Sequence, residues 1–243
     1  WEVVAGTLTQ ALSYTSLAVV AALVGGVIAV YRAPGPQMES NVQHLAAGVV
    51  FAAVAAELLP DIHNKSPEVV VAGFAAGVVA MLGIHRLSKL IEKRGVGGNL
   101  AGAAGLIITI SIDMLIDGVL IAVTFIEETA TGIIIALALT IEVLFLGVAA
   151  VVALPGKMGK IRKIAVPAMF GVLLIVGVTV GVLTLESAAQ ATIAFILAFG
   201  AAALLYLVTE ELLVKASKVP QTSVSTTLFF VGFLVIFVID IIG

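Results

Sequence analysis

The sequence predicts an all-α integral membrane protein, a bundle of about eight transmembrane helices in one membrane domain. Three observations predict it. Of 243 residues, 61% are hydrophobic and only 11% charged, against about 25% charged in a soluble domain. A surface so poor in charge must be covered by lipid. The apolar residues come in continuous runs of about 20, enough to cross about 30 Å of hydrocarbon, and lack the alternation of a membrane β-barrel. Finally, the basic residues collect at every second connection between runs.

The first helix is expected at residues 7–31, ending at Arg32-Ala33-Pro34-Gly35-Pro36. The second spans 42–59 and stops at Pro60, because proline interrupts a helix interior. The third spans 67–90 with a basic end, the fourth 99–125, and the fifth 130–154 up to Pro155-Gly156. The sixth covers 165–185, the seventh 189–215 and the eighth 223–242. Short clusters of Gly, Pro, Ser and charged residues punctuate them.

Arg32; Arg86, Lys89, Lys93 and Arg94; Lys157, Lys160, Arg162 and Lys163; and Lys215 and Lys218 lie at connections 1–2, 3–4, 5–6 and 7–8. Lys65 alone lies on the other face, whose connections are acidic (Asp61, Glu68, Glu127, Glu128, Glu186). The positive-inside rule therefore places the basic connections in the cytoplasm and both termini outside, which requires an even number of helices. The chain opens on Trp1, which admits a processed start, and shows no cleavable leader pattern. With no cysteine there is no disulfide and no thiolate metal site.

Most of the 15 carboxylates sit at helix ends, but Asp113, Asp117 and Glu142 fall near mid-helix. An acid there costs at least about 2.5–3.5 kcal/mol on insertion scales and usually marks function. Asp113 and Asp117 are four residues apart, on one face of the fourth helix. Glu142 enters from the antiparallel fifth. Three carboxylates then meet at one depth, where a divalent cation or protons would relieve their repulsion. Otherwise, each acid would be protonated and bonded to a carbonyl or hydroxyl. Glu57, near the outer end of helix 2, and Glu210 and Glu211, near the inner end of helix 7, are candidate entrance and exit groups, or ordinary interfacial acids. Asp240 receives no role. His44, His63 and His85 fall near helix ends and read as solvated. Met114 reads as packing.

Two self-similarities appear. Asp113 precedes Gly118 by five residues, as Glu142 precedes Gly147. Glu57-Leu58-Leu59 in helix 2 matches Glu211-Leu212-Leu213 in helix 7, each after an Ala/Gly-rich stretch. Helices 4 and 5 run in opposite directions, as do 2 and 7. That is the pattern of inverted repeats, whose interface holds the substrate in many secondary transporters.

At these residues the chain resembles the ZIP (Zrt/Irt-like) family of divalent metal transporters. The resemblance covers nearly the whole chain. Its specific segments are Ala46-Ala47-Gly48-Val49-Val50-Phe51-Ala52-Ala53 leading to Glu57-Leu58-Leu59-Pro60-Asp61, and Tyr206-Leu207-Val208-Thr209-Glu210-Glu211-Leu212. It implies an inverted 3+2+3 arrangement of helices 1–3, 4–5 and 6–8 about a pseudo-twofold axis, with transport ligands from helices 4 and 5. Where the family's helix 4 reads His-Asn-x-Pro-Glu-Gly, this chain has Asp113, Met114, Ile116, Asp117 and Gly118 at the defined positions. In helix 5, Glu142, Val143, Phe145, Leu146 and Gly147 stand where the family has His, Glu, Pro, an acid and Gly. Glu211 or Glu210 matches the helix 7 acid. One metal site is kept in altered form. A second, bridged site is lost, because Met114 and Val143 offer no oxygen.

An all-oxygen site suits Mn²⁺, Mg²⁺ or Ca²⁺ better than Zn²⁺, although zinc accepts carboxylates. Zn²⁺, Mn²⁺, Fe²⁺ and Mg²⁺ all stay open as cargo. The expected function is thus secondary transport of a divalent metal cation, directed inward, with the lipid bilayer and the cation as partners, no organic cofactor and no nucleic acid. The competing readings are a proton or monovalent-ion path through the same acids, and a non-transporting membrane subunit. Abundant Gly and Ala allow close helix packing and suit subunit contacts such as a homodimer. No Walker-type loop is present, so the driving force is a gradient. No Ser–His or His-based zinc constellation lies at mid-depth, so an enzyme is not expected.

Overall fold

Eight long apolar helices form the protein in a computed structural model that describes residues 2–94 and 99–242, with side chains described outside 91–102. They are α1 (Glu2–Tyr31), α2 (Pro36–His63), α3 (Pro67–Arg94), α4 (Asn99–Glu127), α5 (Thr129–Ala153), α6 (Lys160–Leu185), α7 (Gln190–Ala216) and α8 (Ser223–Ile242). No strand occurs among the described residues. The chain is a multi-pass, all-α membrane protein, and each expected helix is present. The side chains of Lys93 and Arg94, counted above toward the basic 3–4 connection, lie outside the described set.

The second helix differs most from expectation. It begins at Pro36 rather than 42 and continues through Pro60 to His63. Pro36 sits in its first turn, where a missing N–H costs nothing. The polar stretch that follows is held by tertiary bonds. Ser40 Oγ donates to the Ala216 carbonyl at 2.8 Å, and Ser225 Oγ donates to Asn41 Oδ1 at 2.8 Å. Pro60 is passed because Val54–Leu58 is a π turn, with Leu59 N–H donating to the Val54 carbonyl five residues back. The wider turn takes up the register change that proline imposes. Helix α7 carries the matching feature. Leu207–Leu212 is π-helical, and Leu213 N–H donates to the Val208 carbonyl. Glu57 and Glu211 each stand two residues before the donor that closes this wide bond.

The packing has an inverted twofold pattern. Exchanging α1 with α6, α2 with α7, α3 with α8 and α4 with α5 maps the main contacts onto one another. Helix α1 packs on α5 as α6 packs on α4, and α2 packs on α8 as α7 packs on α3. The pairs α1–α6, α2–α7 and α4–α5 pack on their own counterparts. One departure is that α3 leans on α4 more than α8 does on α5.

The symmetry extends to single atoms. A Cβ on Gly118 of α4 would meet the Leu174 carbonyl of α6 at 2.5 Å, and one on Gly177 would meet the Leu115 carbonyl at 2.6 Å. Across the axis, a Cβ on Gly147 of α5 would meet the Ala22 carbonyl of α1 at 2.5 Å, and one on Gly25 would strike the Leu144 carbonyl. Leu115 and Leu144 stand three residues before Gly118 and Gly147, and Leu174 and Ala22 three before Gly177 and Gly25. The two crossings are therefore the same contact, made twice. Gly118→Val and Gly147→Val should each destabilise the purified protein by about 1–3 kcal/mol through overpacking. Gly83→Ala, inside α3 with nothing within 4 Å of its Cβ direction, should keep or raise the melting temperature in a fluorimetric thermal scan, since alanine is the better helix former.

Candidate metal centre

Asp113 is the central residue of α4, and Glu142 lies one residue from the centre of α5. Each is roughly 20 Å of helix from either end, at 1.5 Å per residue. The twofold relation pairs them, since each stands five residues before its crossing glycine. Asp117 breaks the symmetry, because its counterpart is Leu146.

The three acids converge. Each offers a carboxylate oxygen within 4.8 Å of the others. Asp113 is 7% exposed, Asp117 1% and Glu142 0%. Among the described residues, Asp117 Oδ2 and both oxygens of Glu142 have no hydrogen-bond partner. This disfavours the view that each acid merely bonds a carbonyl or hydroxyl. Nearby Thr109, Ser111 and Thr140 donate to helix carbonyls four residues back instead.

Two unit charges 4.8 Å apart repel by about 3–4 kcal/mol at an effective dielectric near 20. Three such pairs are comparable to the whole stability of a typical domain, about 5–15 kcal/mol. The trio is therefore neutralised by a cation or by protons. Oxygens sharing one ion at about 2.0–2.4 Å stand about 3–4.5 Å apart, so the spacing sits at the loose edge of a single coordination sphere. Met114 and Val143, the residues that follow Asp113 and Glu142, are fully buried in an apolar cluster with Ile110 and Phe170.

A cavity of about 730 Å³ opens among the basic ends of α3, α4, α5 and α7, lined by His85, Lys89, Glu210, Glu211, Lys215 and Lys218 among others. It reaches Thr109, one turn from Asp113. Toward the opposite ends of α4 and α5, Ile121, Ile135 and Leu139 are fully buried. Beyond them Lys65 pairs with Glu127 and donates to Gln190 Oε1 at 3.1 Å, tying the α2–α3 connection to α4 and α7.

The remaining expected site residues separate. Glu211 is partly buried and lines this cavity with Lys215, whose Nζ is 3.0 Å from its Oε2. Glu210 is exposed at the cavity wall. Glu57 is not with the trio. It is 7% exposed and groups near the opposite end with Thr131, Asp61 and Asp240. Asp240 thus has a place that its position near a helix end did not reveal. His44 is not solvated: it is 5% exposed, and its Nδ1–H donates to the Ser40 carbonyl at 2.8 Å. No protein-family model and no curated protein matches the chain.

If the trio holds a cation, Mn²⁺ at about 100 times its dissociation constant should stabilise the detergent-purified protein by about 2.7 kcal/mol. Asp117→Asn and Glu142→Gln should each lose more than half of that thermal shift. Equal shifts in all three proteins would remove the trio as the binding site.

Proposed function

We propose that this protein is a secondary transporter of a divalent metal cation, built on a divergent ZIP-like plan and working inward. One observation carries the reading: Glu142 is fully buried at mid-membrane with neither oxygen hydrogen-bonded among the described residues, beside two more carboxylates. A dehydrated cation supplies the missing positive charge and the missing contacts together. The all-carboxylate donor set favours a hard ion such as Mn²⁺ or Mg²⁺.

In this reading the cation enters from the acidic face past Glu57, rests among Asp113, Asp117 and Glu142, and leaves past Glu211. The inverted halves rock about the axis between α4 and α5 and open the site to each side in turn. The basic face is cytoplasmic by the positive-inside rule, so the conformation described is the inward-open one. Because the chain lacks cysteine, topology can be read from single introduced thiols. Asn64→Cys should react with an impermeant maleimide from outside and Gly156→Cys only from inside. The reverse labelling would invert the direction.

Transport is tested in proteoliposomes. Mn²⁺ uptake by the wild type should fall at least about tenfold, a loss of about 1.4 kcal/mol or more, in Asp117→Ala. Equal uptake by both proteins would defeat the proposal. Proton flux without any divalent ion, lost in Asp113→Asn, would instead assign the acids to a proton path.

A further inference from the structure

Lys215 has a peculiar position. It lies on α7 one turn inward of Glu211, and its Nζ is 3.0 Å from Glu211 Oε2. The pair spans the wall of the inner cavity, whose deepest described wall on α4 is Thr109, one turn below Asp113. The side chains are 29% and 12% exposed, so the pair stands between water and the buried acids. Lys215 and Thr109 line the same cavity, so the ammonium shares the approach to Asp113.

We infer that Lys215 is a tethered counter-cation for the transport site: its ammonium offsets the carboxylates while no divalent ion is bound and withdraws beside Glu211 toward the cavity when one arrives. The inference rests on the transport reading above and assigns a step within it. An empty carrier must reset by moving its acids past the apolar layer of Ile121, Ile135 and Leu139. Unpaired carboxylates make that step costly. A divalent ion lowers the cost on the loaded leg, but nothing diffusible does so on the empty leg except protons. A lysine suits the return, because it is a compact charge on a flexible stem with three donors and no preferred bidentate geometry. Glu211 gives the ammonium a resting place four residues away on the same helix, in the favourable order of acid before base. An ordinary surface pair of this kind contributes only about 0.3–0.5 kcal/mol and would leave transport kinetics untouched.

The test separates resetting from ion movement, using the full chain in proteoliposomes with radiolabelled Mn²⁺. Net uptake into Mn²⁺-free vesicles requires the empty site to return, whereas exchange against internal Mn²⁺ does not. Lys215→Gln and Lys215→Met should each lower the ratio of net uptake to exchange by at least about tenfold. Lys215→Arg, which keeps the charge, should restore most of it. The neutral variants should also bind Mn²⁺ more tightly, because a competing cation is gone. An unchanged ratio in both neutral variants, or a ratio that arginine does not restore, overturns the inference. Absence of both net uptake and exchange in the wild type overturns the transport reading instead.

Discussion

Two apolar helices gain little by leaving lipid for each other, because hydrocarbon is as apolar as leucine. What holds them together is close backbone approach, and this bundle obtains it at glycine. Gly118 with Gly177, and Gly147 with Gly25, bring α4 against α6 and α5 against α1 so tightly that a methyl group at any of the four would meet a carbonyl oxygen. These crossings set the depth and rotation of α4 and α5. Because each acid lies five residues before its glycine, the same contacts that close the bundle aim Asp113 and Glu142 at each other. The carboxylates do not attract one another; the frame holds them together against their repulsion.

The frame is symmetric and the chemistry is not. Leu146 stands where Asp117 has its counterpart, so the third ligand comes from α4 alone. The two π turns follow the symmetry and fall in α2 and α7, one toward each end of the bundle. In this chain α4 and α5 are uninterrupted α-helices without proline. The adaptable backbone therefore lies in the neighbouring helices rather than at the three acids, in the irregular turns that often mark functional segments of helices. Glu57 and Glu211 occupy those turns, one near each end.

Features that depend on one helix at a time were legible in the sequence. Run length gave eight spans, and the four-residue spacing of Asp113 and Asp117 gave a shared face. The five-residue spacing to Gly118 and Gly147 even pointed to the symmetry, although only the structure ties it to reciprocal carbonyl contacts. What was hidden depends on partners distant in the chain. The stretch from Pro36 to Val42 is too polar to read as a span, and it is helical because Ser40 and Asn41 bond to α7 and α8. His44 is buried by neighbouring helices that no local pattern records. Asp240 meets Glu57 from the far end of the chain. Pro60 reads as a stop unless the π turn before it is known.

The distribution of cavity and seal fits a machine with two halves better than a fixed pore. A pore must be wet from both sides at once, whereas here a cavity reaches Thr109 on one side of the trio and fully buried Ile121, Ile135 and Leu139 lie toward the other. The shut side is tied by polar bonds between helices of different halves: Lys65, between α2 and α3, holds Glu127 of α4 and Gln190 of α7, and Thr7 of α1 donates to Glu186 at the end of α6 at 3.4 Å. Such bonds at an exposed rim are individually weak, so they can be exchanged without large cost. The apolar layer is the stronger barrier to an ion. It is made of side chains from α4 and α5, the same helices that carry the ligands. Any motion that opens the acidic face must therefore re-aim the ligands as well, which couples access to coordination. Under the proposed transport reading, that coupling is what separates a carrier from a channel, and it follows from placing the apolar layer and the acids on one pair of helices.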